Sequence, residues 1–362
     1  MLDKVPVTLF PRRPPVAILG VPFDNVTTSE TLDAIEQMVE SKCPHYVVTA
    51  NMDFLALARR DNDLRRIFAG AHLVLCDGTP VLWASRLLGN TLAERVAGSD
   101  LVPLLLHLAA EKEYRVFFLG ASQKSAEMAV ARVRRAFPSL IVVGQYSPPF
   151  APLEEMDHDE ILRRIREANP HIVLVAFGCP KAEKWMAMHY MECGVPVMMG
   201  VGGTIDFLAG RFQRAPGWMQ RSGLEWMYRL GQEPQRLWRR YATDFWVFGT
   251  KIMAQWARLR GGIPVVREHL LECAGGNFVV DLTDVKHINS AGIGFLLLWR
   301  KRLSAAGRQL ILACPSDSVR RSLDWMGLGE DFVIANDFDS AVRFADSQTS
   351  IGRKRPVRSE AL

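Results

Sequence analysis

The chain lacks the sequence features of membrane-spanning, secreted and disulfide-stabilised proteins. None of its 362 residues lies in an apolar run of 18 or more, so no transmembrane helix is expected. Its first 25 residues have no basic start, apolar middle and small-residue cleavage site, so we expect no secretory signal. Its six cysteines form no Cys-x-x-Cys pair, which indicates a reducing compartment and argues against a disulfide scaffold or a zinc ribbon.

The chain also has little net charge, but its positive charge is concentrated in one segment. The formal net charge is +5, whereas residues 211–260 alone hold ten basic and three acidic residues. The same segment carries five of the nine tryptophans. Residues 1–210 and 261–350 are slightly acidic, and the last twelve residues are basic. Apolar residues make up 49% of the chain, as in a globular protein, and the length predicts about two domains.

Short β-rich runs alternate with helical patterns over the first 210 residues, which predicts an α/β fold with a mainly parallel, doubly wound sheet. The candidate strands are Val16–Leu19, Tyr46–Thr49, Leu73–Cys76, Arg115–Leu119, Leu140–Val143, Ile172–Phe177 and Val197–Val201. Ligands of such sheets bind beyond the carboxyl ends of the strands. The residues that directly follow the strands are therefore the first candidates for a site.

A different pattern follows residue 222 and predicts the domain organisation. Apolar residues recur at three- and four-residue steps between Trp238 and Leu259, which predicts an amphipathic helix. A Gly-Gly pair at 261–262 indicates a linker, and a second β/α pattern runs from there to about residue 350. We therefore expect a first domain over 1–222, a basic helical appendage over 223–260, a small α/β domain over 261–350 and a basic tail over 351–362.

Polar side chains follow two of the candidate strands. Asp77 comes directly after an apolar strand, where partial burial can raise a carboxyl pKa toward the range useful to a general base. An Asp-Gly pair at this place is also typical of a plain turn. Thr49 and Asn51 lie at the end of the neighbouring strand, where they can hydrogen-bond a polyhydroxy substrate or cap the next helix. Taken one at a time, these residues do not identify a function.

Further candidates lie downstream. Arg95 can neutralise a phosphate in a bidentate manner, or form a surface ion pair. The turn Gly200–Gly203 lets backbone amides approach a phosphate or a ribose closely. Asp206 follows this turn and could hold sugar hydroxyls. No complete Gly-x-Gly-x-x-Gly fingerprint follows the first strand, which argues against an enzyme that depends on NAD or S-adenosylmethionine.

Seven sequence blocks, taken in order, resemble the WecG/TagA/CpsF family of bacterial glycosyltransferases over about residues 15–245. They are TANMDFL (49–55), AHLVLCDGTPVLWASRLLG (71–89), ERVAGSDL (94–101), RVFFLGAS (115–122), FGCPKAEKW (177–185), GVGGTIDFLAGRFQRAP (200–216) and GLEWMYRLGQEPQRLWRRY (223–241). Because seven blocks match in the same order, the resemblance is highly specific.

The resemblance implies a Rossmann-like fold and a transfer that inverts the anomeric centre. Its substrates would be a UDP donor, carrying N-acetylmannosamine or a related hexose, and a polyprenyl-diphosphate-linked sugar as acceptor. A base deprotonates the acceptor hydroxyl while UDP leaves, and the base proposed for the family falls on Asp77. The family's substrate-binding positions fall on Thr49, Asn51, Arg95, Lys181, Glu183, Val201, Gly202 and Asp206.

One position departs from the family pattern. The family usually has Pro-Lys-Gln-Glu where this chain has Pro-Lys-Ala-Glu at 180–183, so Ala182 lacks the amide expected to contact the sugar or the pyrophosphate. This difference bears on donor choice and on activity. No Asp-x-Asp pair follows a strand, so leaving-group stabilisation by arginines, with no metal or other cofactor, is the simpler mechanism.

The basic, tryptophan-rich segment allows two compatible functions. Arginines that fold over a site can neutralise a leaving pyrophosphate, and arginines with tryptophans can hold a helix at an anionic membrane surface. Core packing of the tryptophans is the structural alternative, and no nucleic-acid partner is expected. The family's C-terminal appendage is thought to have both functions, and its arginines fall on Arg229, Arg236 and Arg239. We therefore expect a cytoplasmic protein that binds peripherally to the inner face of the plasma membrane.

The C-terminal segment has a motif of its own, with Ser290 at a strand-to-helix turn. A helix N-terminus favours added negative charge, so Ser290 is a candidate for phosphorylation, or else a plain N-cap. The pattern resembles a STAS domain, the fold of anti-sigma-factor antagonists, over about residues 262–348. The usual Asp-Ser-Ser/Thr-Gly reads Asn-Ser-Ala-Gly at 289–292. Both a kinase or other regulatory partner and a plain docking module therefore remain open.

Two function classes follow from these patterns. The first is a membrane-peripheral glycosyltransferase of cell-surface polysaccharide synthesis, with a regulatory STAS domain. The second is a catalytically weak or inactive transferase fold that acts as a scaffold for interactions of the STAS domain. Ala182 favours the second slightly, whereas the retained strand-end residues and appendage arginines favour the first strongly.

Overall fold

The computed structural model describes residues 13–212, 215–221, 224–232, 234–263, 269–273 and 276–347. The first described strands form an antiparallel hairpin, β1 (Val16–Ile18) and β2 (Val21–Phe23). Six strands then form the main sheet: β3 (His45–Ala50), β4 (Leu73–Cys76), β5 (Arg115–Gly120), β6 (Ile141–Tyr146), β7 (Ile172–Ala176) and β8 (Val197–Gly200). All their pairings are parallel, in the order β4-β3-β8-β7-β5-β6.

Helices connect these strands and cover both faces of the main sheet. They are α1 (Thr28–Ser41), α2 (Met52–Ala58), α3 (Asn62–Gly70), α4 (Thr79–Leu87), α5 (Gly98–Glu111), α6 (Gln123–Ala136), α7 (His158–Ala168), α8 (Lys181–Cys193) and α9 (Thr204–Leu208). Successive side chains of a strand point to opposite faces, so Val47 and Val48 belong to two different apolar clusters, one on each face. The predicted mainly parallel, doubly wound sheet is confirmed.

The strand order of the main sheet reverses at β3. From β3 the chain moves outward to β4 and then crosses to β5, and it returns through β7 to β8, which lies beside β3. At such a reversal the connections leave the carboxyl ends of neighbouring strands in opposite directions and open a crevice between them. The crevice at β3 and β8 is therefore where a ligand site is expected.

Three helices link the main sheet to the C-terminal domain: α10 (Gly217–Arg221), α11 (Glu225–Gln232) and α12 (Pro234–Leu259). The segment expected to be a helical appendage is thus helical over its described part. Three tryptophans of helices α10 and α12 are exposed: Trp218 by 60%, Trp238 by 53% and Trp246 by 75%. Within the part of the chain that the structure describes, no helix is both long and apolar enough to cross a membrane.

The C-terminal domain is a four-stranded sheet covered by helices. Its strands are β9 (Leu270–Glu272), β10 (Phe278–Asp281), β11 (Leu310–Ala313) and β12 (Val333–Ala335), and its helices are α13 (Ser290–Ala305), α14 (Asp317–Trp325) and α15 (Phe338–Ser347). The strands lie in the order β12-β11-β10-β9, with β9 antiparallel to β10 and the other pairs parallel. The sequence pattern does not predict β9, which is three residues long and mostly exposed. The predicted small α/β domain is confirmed.

The first predicted strand does not join the main sheet, contrary to the expectation from the sequence. β1 pairs with β2 in a separate hairpin, and β1 packs against α13 of the C-terminal domain. The chain reverses at Leu19 and Gly20, whose φ values of 51° and 86° are typical of a tight hairpin turn. Leucine rarely adopts positive φ, so the sequence carries little signal for this turn.

Candidate active site

A cleft of about 200 Å³ lies at the carboxyl ends of β3, β4, β7 and β8. Its strand-end lining includes Thr49, Asn51, Asp77, Gly178 and the turn 201–203. A larger cavity of about 630 Å³ lies between the main sheet domain and the C-terminal domain. We assign the site to the smaller cleft, because it occupies the reversal of strand order and gathers polar groups from four strand ends.

Asp77 is the carboxylate at the mouth of this cleft. It directly follows β4, its backbone N–H donates to the carbonyl of Ala50 on β3 at 2.9 Å, and it is half-buried. Gly78 then caps α4, and a Cβ placed there would lie 3.3 Å from the Cβ of Asn51. The close approach of these two turns brings Asp77 and Asn51 to the same wall of the cleft, as the sequence predicts.

Thr49 and Asn51 have separate structural tasks at the end of β3. The Thr49 hydroxyl donates to the carbonyl of Gly200 at 3.1 Å and so joins the ends of β3 and β8. The Asn51 side-chain oxygen accepts from the backbone N–H of Asp53 at 2.9 Å and caps α2. The helix-capping alternative therefore holds for Asn51 but not for Thr49. Both side chains also line the cleft, and the capping bond of Asn51 uses only its oxygen.

Arg95 lines the cleft, and its positive charge is paired with two carboxylates. Its guanidinium donates to Asp100 at 2.8 Å and to Glu225 of α11 at 3.2 Å, and its side chain is 19% exposed. The surface ion pair that the sequence left open is thus a partly buried triad, with two carboxylates around one guanidinium. A phosphate that approached Arg95 would compete with Glu225 for it.

The glycine-rich turn that follows β8 contributes backbone to the cleft. Val201 is buried and Gly202 is exposed, and both line the cleft. Gly202 has φ +50°, the left-handed region that favours glycine, whereas a Cβ there would meet no atom within 4 Å. The conformation of this turn, rather than lack of space, therefore explains the glycine.

Two predicted substrate contacts lie outside the cleft lining. The Lys181 ammonium donates to the carbonyl of Ala151 at 2.9 Å and lies 5.0 Å from the centre of the Phe150 ring. Asp206 accepts from the Ser125 hydroxyl at 2.7 Å and pairs with Arg211 at 3.2 Å. Both side chains are held by neighbouring elements on the flank of the site.

Glu183 lines the cleft from α8, next to Ala182. Its side chain is 3% exposed, and this burial raises the pKa of Glu183 from 4.5 to about 7. Ala182 is also buried, 1% exposed, and belongs to the apolar cluster on that face of the sheet. The position at which the family carries an amide is therefore an apolar part of the wall here.

Helices α11 and α12 close the cleft on the side away from the sheet. Trp226 and Phe245 line it, with ring centroids 5.0 Å apart. Neither was a predicted site residue, and neither was Glu225. Glu225 and Trp226 lie within the block at 223–241, and Phe245 belongs to the apolar pattern between Trp238 and Leu259. The side chains of Arg229, Arg236 and Arg239 lie outside the described residues, so their predicted contacts stay predictions.

Ser290 is not part of the cleft. The N-cap of α13 is Asn289, whose side chain accepts from the backbone N–H of Gly292 at 2.8 Å, so the predicted N-cap function of Ser290 is wrong. Ser290 is the first residue of α13 and is fully buried. Among the described residues, no group of three or more His, Cys, Asp or Glu side chains could hold a metal ion.

Comparison with known proteins identifies the family of the chain. The sequence model of the glycosyl transferase WecG/TagA/CpsF family matches residues 16–262, and that of the STAS domain matches residues 262–341. The N-acetylglucosaminyldiphosphoundecaprenol N-acetyl-beta-D-mannosaminyltransferase of Bacillus subtilis is 32% identical over 224 residues, which cover 62% of this chain and 85% of that protein.

Two further proteins with the same name are similar. The one from Staphylococcus aureus strain MW2 is 30% identical over 62% of this chain and 87% of its own length. The one from Bacillus spizizenii is 35% identical over 54% of this chain and 74% of its own length. The family match covers more than half of the chain and includes every residue of the cleft. The chain therefore belongs to the WecG/TagA/CpsF family of glycosyltransferases and carries a C-terminal STAS domain.

Proposed function

We propose that the protein transfers N-acetylmannosamine, or a related hexose, from a UDP donor to a polyprenyl-diphosphate-linked sugar in cell-surface polysaccharide synthesis. The observation that carries the proposal is one cleft that gathers Asp77, Thr49, Asn51 and Arg95 at the reversal of strand order. The names of the similar bacterial proteins support the substrate class, because each acts on an N-acetylglucosaminyl-diphosphoundecaprenol.

The reaction is a single displacement at the anomeric carbon of the donor sugar. Asp77 takes the proton of the acceptor hydroxyl, whose oxygen forms the new bond as the bond to UDP breaks, so the anomeric centre inverts. The half-buried carboxylate at the mouth of the cleft suits this task, because it is reachable by an acceptor that enters from outside.

The leaving diphosphate needs positive charge and N–H donors. The turn after β8 brings backbone amides to the cleft, and Arg95 also lines it. We propose that Arg229, Arg236 and Arg239 complete this neutralisation, because their helices close the same cleft. Ala182 makes the wall beside Glu183 apolar, so the donor sugar would find no amide there.

The appendage also supports contact with a lipid surface at the inner face of the plasma membrane. Trp218, Trp238 and Trp246 are exposed on helices of the segment that carries the net charge of +7. Tryptophans with arginines are typical of helices that lie in the interface of an anionic membrane. An acceptor anchored in that membrane would reach the cleft from the same side as these helices.

The second candidate is a transferase fold that works as a scaffold for the STAS domain. The observations that favour it are Ala182 in the wall and the engagement of Arg95 by two carboxylates. The two candidates differ in whether a UDP-sugar binds and turns over.

The discriminating experiment measures UDP release from UDP-N-acetylmannosamine and other UDP-sugars, with a polyprenyl-diphosphate-linked N-acetylglucosamine acceptor. The expected result is turnover by the full chain and a fall of about 100-fold or more in kcat for Asp77→Asn, as for loss of a general base. Asp63→Asn, on the exposed surface of α3, is the matched control and should turn over normally. Unchanged turnover of Asp77→Asn would exclude Asp77 as the base, and failure of every UDP-sugar to bind would favour the scaffold.

A further inference from the structure

The N-terminal end of α13 docks on the transferase domain through one buried glutamine. Gln255 of α12 is fully buried, and its side-chain NH2 donates to the carbonyl of Ala17 at 2.9 Å and to the Ser290 hydroxyl at 3.0 Å. Its side-chain oxygen accepts from the backbone N–H of Leu19 at 2.8 Å. Both hydrogens of the Gln255 side-chain amide therefore take part in hydrogen bonds. These bonds connect α12 to the β1 hairpin and to α13. The serine of the STAS motif therefore faces the transferase domain.

Packing around Gly294 leaves no space for a side chain between the two domains. A Cβ at Gly294, one turn along α13, would lie 2.1 Å from the carbonyl oxygen of Pro15, and its nearest neighbours all belong to residues 15 and 16. Lys301, further along the same helix, donates to the carbonyl of His72 at 3.1 Å. Helix α13 thus contacts the transferase domain at Gly294 and at Lys301.

Helix α12 belongs to both domains at once. Its inward positions follow one another at steps of three and four residues, as one face of a helix requires. Phe245 lines the cleft, Phe248 and Ile252 are buried in the core of the transferase domain, Gln255 binds Ser290, and Leu259 is buried in the core of the STAS domain. Ten residues at 1.5 Å each separate Phe245 from Gln255, a distance of about 15 Å along one continuous helix.

We propose that the serine face of the STAS domain is an interaction surface whose partner is the transferase domain of the same chain, and that this docking holds α12 over the active-site cleft. The STAS domain then controls sugar transfer through α12, because a helix anchored at Gln255 and Leu259 presents Phe245 in one position. This inference rests on the proposed transferase function for its activity readout, but the docking itself can be measured without it.

Docking of the STAS domain on the transferase domain is incompatible with a charged group at Ser290. Ser290 is fully buried, and its hydroxyl oxygen accepts from an amide that is itself fixed to β1. A phosphate or a carboxylate there would place an ion in a fully buried site, which costs several kcal/mol. A partner that recognises the free serine face must therefore compete with α12 and β1.

The experiment tests the docking with a substitution that adds one methyl group to the interface. In Gly294→Ala the new Cβ meets Pro15 and leaves the core of the STAS domain untouched, whereas Gly249→Ala adds the same group to α12 at a position with no atom within 4 Å. Hydrogen exchange of the Leu19 amide reports docking, since Gln255 protects that N–H. UDP release reports transfer in the same full-length preparations.

Gly294→Ala should accelerate exchange at Leu19 by at least about tenfold and lower kcat/KM by about tenfold, while Gly249→Ala matches the wild type. Gln255→Ala removes the bond to Ser290 without a steric clash, so it should lower kcat/KM in the same direction and keeps the test open if Gly294→Ala does not fold. Its Leu19 exchange is not compared, because the substitution itself removes the acceptor of that N–H. Unchanged or increased turnover, in Gln255→Ala or in Gly294→Ala with faster exchange, would overturn the coupling. Unchanged exchange in a folded Gly294→Ala variant would overturn the docking. Absence of turnover in the wild type would instead contradict the transferase function, and the exchange result would still stand.

Discussion

Replacing Glu183 by glutamine tests how the wall of the cleft tolerates charge. Burial raises the pKa of this carboxyl to about 7, because the side chain is only 3% exposed. Hydrogen bonds from its own backbone N–H and from the Cys179 thiol favour the ionised form, but by less than burial disfavours it. Its Oε2 atom has no hydrogen-bond partner in the described part of the chain. The folded protein therefore retains this proton to a higher pH than the unfolded chain does.

The sign of the effect on stability follows from the two pKa values. Below pH 4.5 the carboxyl is protonated in both states, and its titration leaves the free energy of unfolding unchanged. As pH rises from 4.5 toward 7, the unfolded chain loses the proton first, so the folded state loses stability. Above pH 7 the loss levels off at about 3 kcal/mol, from a pKa difference of roughly 2.5 at 1.36 kcal/mol each. Glutamine does not titrate in this range, so Glu183→Gln removes this pH-dependent loss of stability.

The assay is thermal unfolding at pH 5 and at pH 8. At pH 8 the Tm of Glu183→Gln should exceed that of the wild type by about 6–12 °C, the shift that about 3 kcal/mol produces in a domain of this size. At pH 5, just above the unfolded pKa of 4.5, the difference should fall to roughly a quarter of that at pH 8. Glu127→Gln, on the exposed surface of α6, is the matched control and should follow the wild type at both values. An equal Tm difference at pH 5 and pH 8 would refute a raised pKa at Glu183.

Two further predictions concern the appendage. Glu225→Gln keeps a hydrogen-bond acceptor for Arg95 but removes the competing charge, so the KM for the UDP-sugar should fall about fivefold; an unchanged KM would show that Arg95 does not contact the donor. The double variant of Trp238 and Trp246 to serine should lower co-sedimentation with anionic phospholipid vesicles several-fold and leave the Tm almost unchanged, because both rings are exposed. Trp83→Ser, at an exposed position on α4, is the control and should sediment like the wild type. If the double variant also sediments like the wild type, the membrane contact lies elsewhere.

Much of the cleft could be predicted because it depends on local order along the chain. Asp77 and Asn51 each directly follow a strand and Thr49 lies at the end of one, and the carboxyl ends of parallel strands meet at one edge of the sheet. The rule says less about the flanking positions. Lys181 and Asp206 follow strands by several residues, and at that distance the conformation of the turn decides which way a side chain points, so their substrate contacts stay predictions.

The first strand shows a second reason for failure. Val16–Ile18 has the composition of a buried strand and is fully buried, but against the hairpin partner and the STAS domain rather than in the main sheet. Composition reports that a segment is buried, and it does not report what covers it. A turn with a leucine at positive φ then directs the segment away from the main sheet.

The sequence by itself determined the α/β architecture, the family, the strand-end position of Asp77 and the segment in which the positive charge is concentrated. These properties follow from periodicity and from the order of residues over short distances. Only the tertiary structure decided that Glu225 neutralises Arg95 and that Gln255 joins Leu19 to Ser290. These partners are separated by 130, 236 and 35 residues. The pairing of a buried polar group depends on which surfaces the fold brings together, and no local pattern in the chain encodes that choice.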